Sequence, residues 1–163
     1  MSLISSVTIK NFKCFRNKTQ INLSQGTYLI GINNAGKTAI LQAIYFFFNS
    51  NLYENESYLN RTAYLAKKAG YNQTEITIVF NLTELSSKVL KIRLMKLFKG
   101  KRAEITKVIT FSPSSRNITF NYRVLDSEYD SFEEIDSDTK KLFMSVKVTY
   151  IHPQEGKDLT RTP

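Results

Sequence analysis

The chain has 163 residues and a formal net charge of +9, with 42% hydrophobic, 12% aromatic and 23% charged residues. That is the composition of one globular domain, and it excludes collagenous, coiled-coil and disordered classes. A single cysteine (Cys14) and a single histidine (His152) exclude an internal disulfide, a thiolate zinc site and a histidine-rich metal centre, and argue against a Ser–His or Cys–His catalytic pair.

In chain order, Leu3–Lys10 is β-branched and partly alternating, and predicts a strand. Lys18–Leu23 predicts a second, with Thr19, Ile21 and Leu23 on one face. Ser24-Gln-Gly26 is a turn, and Thr27–Ile30 is a short apolar run that predicts a buried strand. A helix is expected from Lys37 to Phe48, its apolar face formed by Ile40, Leu41, Ile44, Phe47 and Phe48. A polar stretch follows, with a helix suggested over Tyr58–Lys68, then a strictly alternating strand over Glu75–Leu82. Lys88–Phe98 fits two periods. Leu85, Val89 and Ile92 have helical spacing, whereas Leu90, Ile92 and Leu94 alternate with Lys91 and Arg93. The strand reading is favoured over the helix, and as a strand the segment opens a three-stranded antiparallel meander with Ile105–Phe111 and Ile118–Val124. An acidic tract leads into a helix over Phe132–Met144, and Val146–Ile151 is a last strand.

Charge is unevenly placed. Residues 1–53 hold no acid, residues 88–107 hold eight bases against one acid, and residues 126–138 hold seven acids and no base. Such basic surfaces suit polyanions, although a lysine-rich solvated face would look the same. As strands, residues 88–102 would gather Lys91, Arg93, Lys96, Lys99, Lys101 and Arg102 into one basic cluster, with Lys91 and Arg93 on a common face. Neither a signal peptide nor a membrane-length apolar run is visible, so a cytoplasmic protein without membrane contact is expected.

The chemistry-bearing motif is Gly31–Thr38, GINNAGKT, a complete G-x-x-x-x-G-K-[ST] between an expected strand and an expected helix. Gly31 and Gly36 let the backbone approach a phosphate closely. Successive N–H groups from about Asn34 to Thr38 would form an anion nest at the positive end of the helix. Lys37 would meet the β- and γ-phosphates of ATP, and the Thr38 hydroxyl would ligate Mg²⁺. Gly31, Asn33, Asn34, Ala35, Gly36, Lys37, Thr38 and Ala39 are the candidate nucleotide residues.

VTIKNFKCFRN, followed about twenty residues later by GINNAGKTAILQAI, resembles the start of the ABC-type ATPase heads of the SMC and RecF-like group. The paired asparagines Asn33-Asn34 are most similar to the RecF-like and OLD-family versions, the latter being ATPase–nucleases that include anti-phage defence proteins. The fold so implied is mixed α/β, a P-loop NTPase N-terminal lobe with an antiparallel β meander. Its parts would be residues 1–50 (strands, Walker A and its helix), 51–125 (insert and meander) and 126–163 (acidic helix, last strand and glutamine-loop region). The resemblance places Lys13 near the nucleotide. It makes Gln154, in VTYIHPQEGKDL, the glutamine-loop residue that would reach Mg²⁺ or the attacking water, as a catalytic partner of Lys37.

Leu23-Ser-Gln-Gly26 imitates an ABC signature sequence, but it stands before Walker A rather than far downstream, and is a turn. No Walker B occurs: Tyr122-Arg-Val-Leu-Asp126 is interrupted by Arg123. The expected whole is the ATP-binding lobe of a DNA-acting ATPase in repair or defence. A second lobe, or a second copy in a homodimer, would supply the missing motifs. Alternatives are a small P-loop kinase, which this strand-first β-rich chain fits poorly, and a basic nucleic-acid-binding module.

Overall fold

The computed structural model describes residues 2–27, 29–31, 36–49, 73–98, 102–111, 118–125 and 132–145. Six strands pair antiparallel: β1 (Ile4–Lys10), β2 (Thr19–Asn22), β3 (Gln73–Asn81), β4 (Arg102–Phe111), β5 (Ile118–Leu125) and β6 (Phe132–Glu134). Their order in the sheet is β2-β1-β3-β4-β5-β6. Three helices accompany them: α1 (Lys37–Phe48), α2 (Lys88–Phe98) and α3 (Ser137–Met144).

The alternation in the sequence decides which face of the sheet is apolar. Val7, Ile78 and Ile105 stand in register across β1, β3 and β4, and Ile9 and Ile76 form the next row with Lys107. These side chains face α1, whose Ala39, Ile40, Ala43, Phe46, Phe47 and Phe48 are buried. Phe47 and Phe48 both pack on Phe80, with ring centroids 5.9 Å apart in each case. Burying a phenylalanine side chain is worth roughly 2 kcal/mol, so this aromatic end of α1 is its main hold on the sheet. The buried stripe is rotated from the expected face: Phe46 belongs to it, and Leu41 is exposed because it points away from the sheet. On the other face Thr77 and Thr106 share a hydroxyl hydrogen bond of 2.8 Å.

Lys107 occupies an apolar row and is fully buried. Its Nζ donates to the carbonyls of Phe46 (2.7 Å) and Phe47 (3.1 Å), in the last turn of α1. Those carbonyls lie in the last turn of the helix and carry the negative end of its dipole. Burial still dominates and, with Lys140 nearby, pushes the Lys107 ammonium down to about 6.

Three expectations are corrected. Lys88–Phe98 is helix α2, not a strand. Leu90 and Leu94, one turn apart, are buried, while Ile92 between them is 67% exposed. Strand alternation would have buried all three; instead Ser87 caps the first turn, its Oγ accepting from Leu90 N at 3.4 Å, ahead of good helix formers. The basic cluster is therefore not a strand face. Lys91 and Arg93 diverge around α2: Lys91 Nζ reaches Thr83 O (3.0 Å) and Arg93 approaches Asp136 (3.7 Å). The expected helix over Phe132–Met144 begins only at Ser137, because Phe132–Glu134 pairs with β5 and Asp136 caps the helix, accepting from Thr139 N at 2.9 Å. Its carboxyl is held below the usual range by the Thr139 hydroxyl and the neighbouring amides.

Thr27–Ile30 is the third correction. Ile30 is 93% exposed, and Thr27, Leu29 and Ile30 lie in no strand. The expected elements at 58–68 and 146–151, with Gln154, lie outside the described residues.

Candidate functional site

Gly36 ends the motif loop and starts α1. It is left-handed (φ 89°) and, as N-cap, supplies no side-chain oxygen; the first turn holds no acid either. The first-turn N–H donors of α1 are thus uncapped by any side chain at Gly36 and meet no carboxylate of their own turn. Gly36 is required on a second count. A Cβ there would come 2.9 Å from Cys14 Sγ and 3.1 Å from the Phe15 ring.

That close approach is made by a tight hairpin directly after β1. Phe12 and Phe15 exchange two backbone hydrogen bonds of 2.9 Å, with Asn11 and Lys13 both left-handed (φ 52° and 51°). Phe12 is buried edge-on against Phe46, with centroids 5.7 Å apart, and Thr74 Oγ1 donates to Asn11 O at 2.7 Å. The N-F-basic element is therefore one wall of the Walker A site, docked on the helix that the motif begins.

A cavity of about 350 Å³ opens there, lined among the described residues by Lys13, Cys14, Gly36, Lys37, Thr38, Ala39 and Gln42. Among the described residues two lysines and no acid line it. Lys37 Nζ donates to Gly31 O at 2.5 Å, joining the two ends of the motif loop. Thr38, on the exposed side of the first helical turn, brings a hydroxyl to the same space. Lys13 Nζ donates to Gln42 Oε1 across it. Burial lowers the Lys13 ammonium from its ordinary value, the Cys14 thiol opposing that.

The structure thus brings together Lys13, Gly36, Lys37, Thr38 and Ala39, with Gly31 held by Lys37; Asn33, Asn34, Ala35 and Gln154 lie outside the described residues. Sequence reasoning missed Gln42 and the wall formed by Cys14 and Phe15. Gln42 was discoverable, because it lies one helical turn beyond Thr38 and so on the same face. The Cys14–Gly36 approach is long-range and had no local signal. Leu23-Ser-Gln-Gly26 is a turn, as expected, with Gly26 at φ 72° and Thr27 N bonded to Ser24 O at 3.2 Å.

A left-handed glycine at an uncapped helix start, closed by an N-F-K hairpin, is the local form of a P-loop ATPase, and the sequence matches the AAA ATPase domain over residues 3–159. The chain belongs to that family. It is 29% identical over 133 residues to the endonuclease GajA of Bacillus cereus (strain VD045), covering 79% of this chain and 20% of that protein. It is 31% identical over 129 residues to the DNA replication and repair protein RecF of Francisella tularensis subsp. novicida (strain U112), covering 71% of this chain and 35% of that protein. RecF of subspecies mediasiatica (strain FSC147) is 29% identical over 124 residues. This AAA ATPase domain therefore spans between a fifth and about a third of the length of these relatives. Among its described residues no helix is long and apolar enough to cross a membrane.

Proposed function

We propose that this domain is the ATP-binding lobe of an SMC/RecF/OLD-like ATPase that acts on DNA, and that hydrolysis requires a second lobe or a partner copy. The observation that carries the reading is the convergence of Lys13, Lys37 and Thr38 on one cavity, with no acid among its described lining residues, at a helix start without a side-chain cap. The donor set fits Mg²⁺–ATP. Lys37 and Lys13 would neutralise phosphate charge, the first-turn N–H groups would donate to phosphate oxygens, and the Thr38 hydroxyl would be the protein's ligand to the metal. Magnesium, when bound, neutralises charge that develops on the phosphates. Gln154 is the proposed further contact to the metal or attacking water.

Phosphoryl transfer depends almost wholly on positioning and charge stabilisation. The 163-residue sequence holds no Walker B and no downstream signature sequence to complete either. The expected outcome is measurable binding of Mg²⁺–ATP by the chain, abolished by Lys37→Ala, with negligible turnover. Steady turnover by the chain alone, lost in Lys37→Ala, would show that no second lobe is needed.

The relatives named for DNA replication and repair and as an endonuclease support DNA as the polyanion. So does the outward side of α2, where Lys88 and Lys96 are exposed. Contacts of this kind reach phosphates rather than bases, so duplex binding should be sequence-tolerant and steeply salt-dependent. A Lys88/Lys96→Glu variant should bind with a shallower salt slope by about two ions. Equal slopes for variant and parent would remove α2 from the DNA surface.

A further inference from the structure

Lys13 has a fixed base and a long side chain whose head is held at Gln42. Its backbone is held in the left-handed region by the Phe12–Phe15 hairpin, and that hairpin is anchored by buried Phe12 and by the Thr74 bond to Asn11. Beyond the backbone, four methylenes can swing the ammonium through a wide arc. Its hydrogen bond to Gln42 Oε1 brings the head to α1, one turn beyond Thr38, within the lining of the same cavity. Gln42 is a neutral acceptor. A carboxylate at this position would pair with the ammonium and remove one of the cavity's two positive charges, whereas a carboxamide orients the ammonium and leaves the charge available.

Building on the nucleotide-site reading above, we propose that Gln42 is a positioning residue: its carboxamide holds the Lys13 ammonium at the phosphate cavity and goes on accepting from it while a bound polyphosphate accepts from the ammonium's other N–H groups. The ammonium has three N–H donors, so it can serve Gln42 Oε1 and a phosphate oxygen together, and the carboxamide keeps it directed at the ligand. Gln42 acts through Lys13, and its influence should vanish when Lys13 no longer carries an ammonium.

The test is a double-mutant cycle read by calorimetric titration of Mg²⁺–ATP and Mg²⁺–ADP into the 163-residue chain. A hydrogen bond to a charged group is worth roughly tenfold in a binding constant, so Lys13→Met should lose about tenfold for ATP. Gln42→Leu should lose about threefold, and the double variant no more than Lys13→Met alone. Gln42→Glu should bind ATP more weakly than Gln42→Leu does, with a smaller difference for ADP, because it both pairs Lys13 and repels phosphate. A purely structural role for the half-buried Gln42 would instead give the same loss in either Lys13 background. That additivity, or an unchanged affinity in Gln42→Leu, overturns the proposal while leaving the nucleotide site standing. ATP binding that survives Lys37→Ala would overturn the nucleotide site, and this proposal with it. Circular dichroism melts of each variant establish that it is folded before titration.

Discussion

The two ends of α1 each carry a lysine, and the two lysines do opposite work. At the N-terminal end Lys37 follows a glycine cap that offers no side-chain oxygen, and it shares an open cavity with Thr38 and Lys13. At the C-terminal end Lys107, from β4, is buried on the carbonyls of Phe46 and Phe47. One end of the helix dipole is left for a ligand and the other is answered by the protein itself. The lesson is that an anion site of this kind needs a fixed helix. The aromatic cluster and Lys107 hold the far end of α1 against the sheet, so the N–H groups at the near end keep their direction.

Lys37→Ala should break the functional end alone. It is expected to lose about 100-fold or more in ATP affinity, since charge-assisted phosphate bonds are worth roughly 1.5–3 kcal/mol each. The unfolding free energy should change by less than about 1 kcal/mol, because the bond from Lys37 to Gly31 is exposed to solvent. Urea melts beside ATP titrations check both halves, and a matching loss of stability would mean that Lys37 is also structural.

Gly36→Ala joins the two roles. The left-handed backbone alone should destabilise the fold by about 1–3 kcal/mol. The 2.9 Å approach to Cys14 Sγ adds to that. Adding Cys14→Gly to Gly36→Ala should restore part of the stability but not all of it, because the change relieves the steric contact and leaves φ unfavourable. No recovery in a thermal melt would mean that the contact with Cys14 is of no consequence.

Lys107 should make the structural end pH-sensitive. The unfolded chain binds its proton up to about the ordinary lysine value of 10.5, the folded chain only up to about 6. Between those values the unfolded state holds more protons, so stability should rise with pH across this window and fall as pH drops toward 6. In Lys107→Met that contribution disappears, so the variant's melting temperature should decline less than the parent's from pH 9 to pH 6. Parallel pH profiles would show that the ammonium is not neutralised on folding.

Thr38 gives the smallest and most selective effect. Thr38→Ala should weaken Mg²⁺–ATP by about tenfold while affecting metal-free ATP in EDTA less, and Thr38→Ser should be mild because the oxygen remains. Equal losses with and without metal would assign the hydroxyl to the helix start instead.

Much of this molecule was legible locally. Motif spacing located α1 from Lys37 to Phe48, and strict alternation located β3, because a two-residue period fits only a half-buried strand. Lys88–Phe98 was misread as a strand, because Leu90 and Leu94 satisfy both periods at once. Only the exposure of Ile92 between them separates the two, and exposure is a property of the packed whole. Thr27–Ile30 failed for a related reason: apolar, β-prone residues permit a strand, but a strand exists only where a neighbour pairs with it.

By itself the sequence determined the P-loop and the helix it begins, which rest on residues within a few positions of one another, and the family, which rests on two short motifs about twenty residues apart. Tertiary structure decided what surrounds them. It set Cys14 against Gly36, Gln42 against Lys13, and Lys107 beneath the end of α1, pairs separated by 22, 29 and about 60 positions along the chain. No local propensity encodes such contacts. They follow from the register of β1, β3 and β4, which is fixed only when the apolar rows of all three strands close together over one helix.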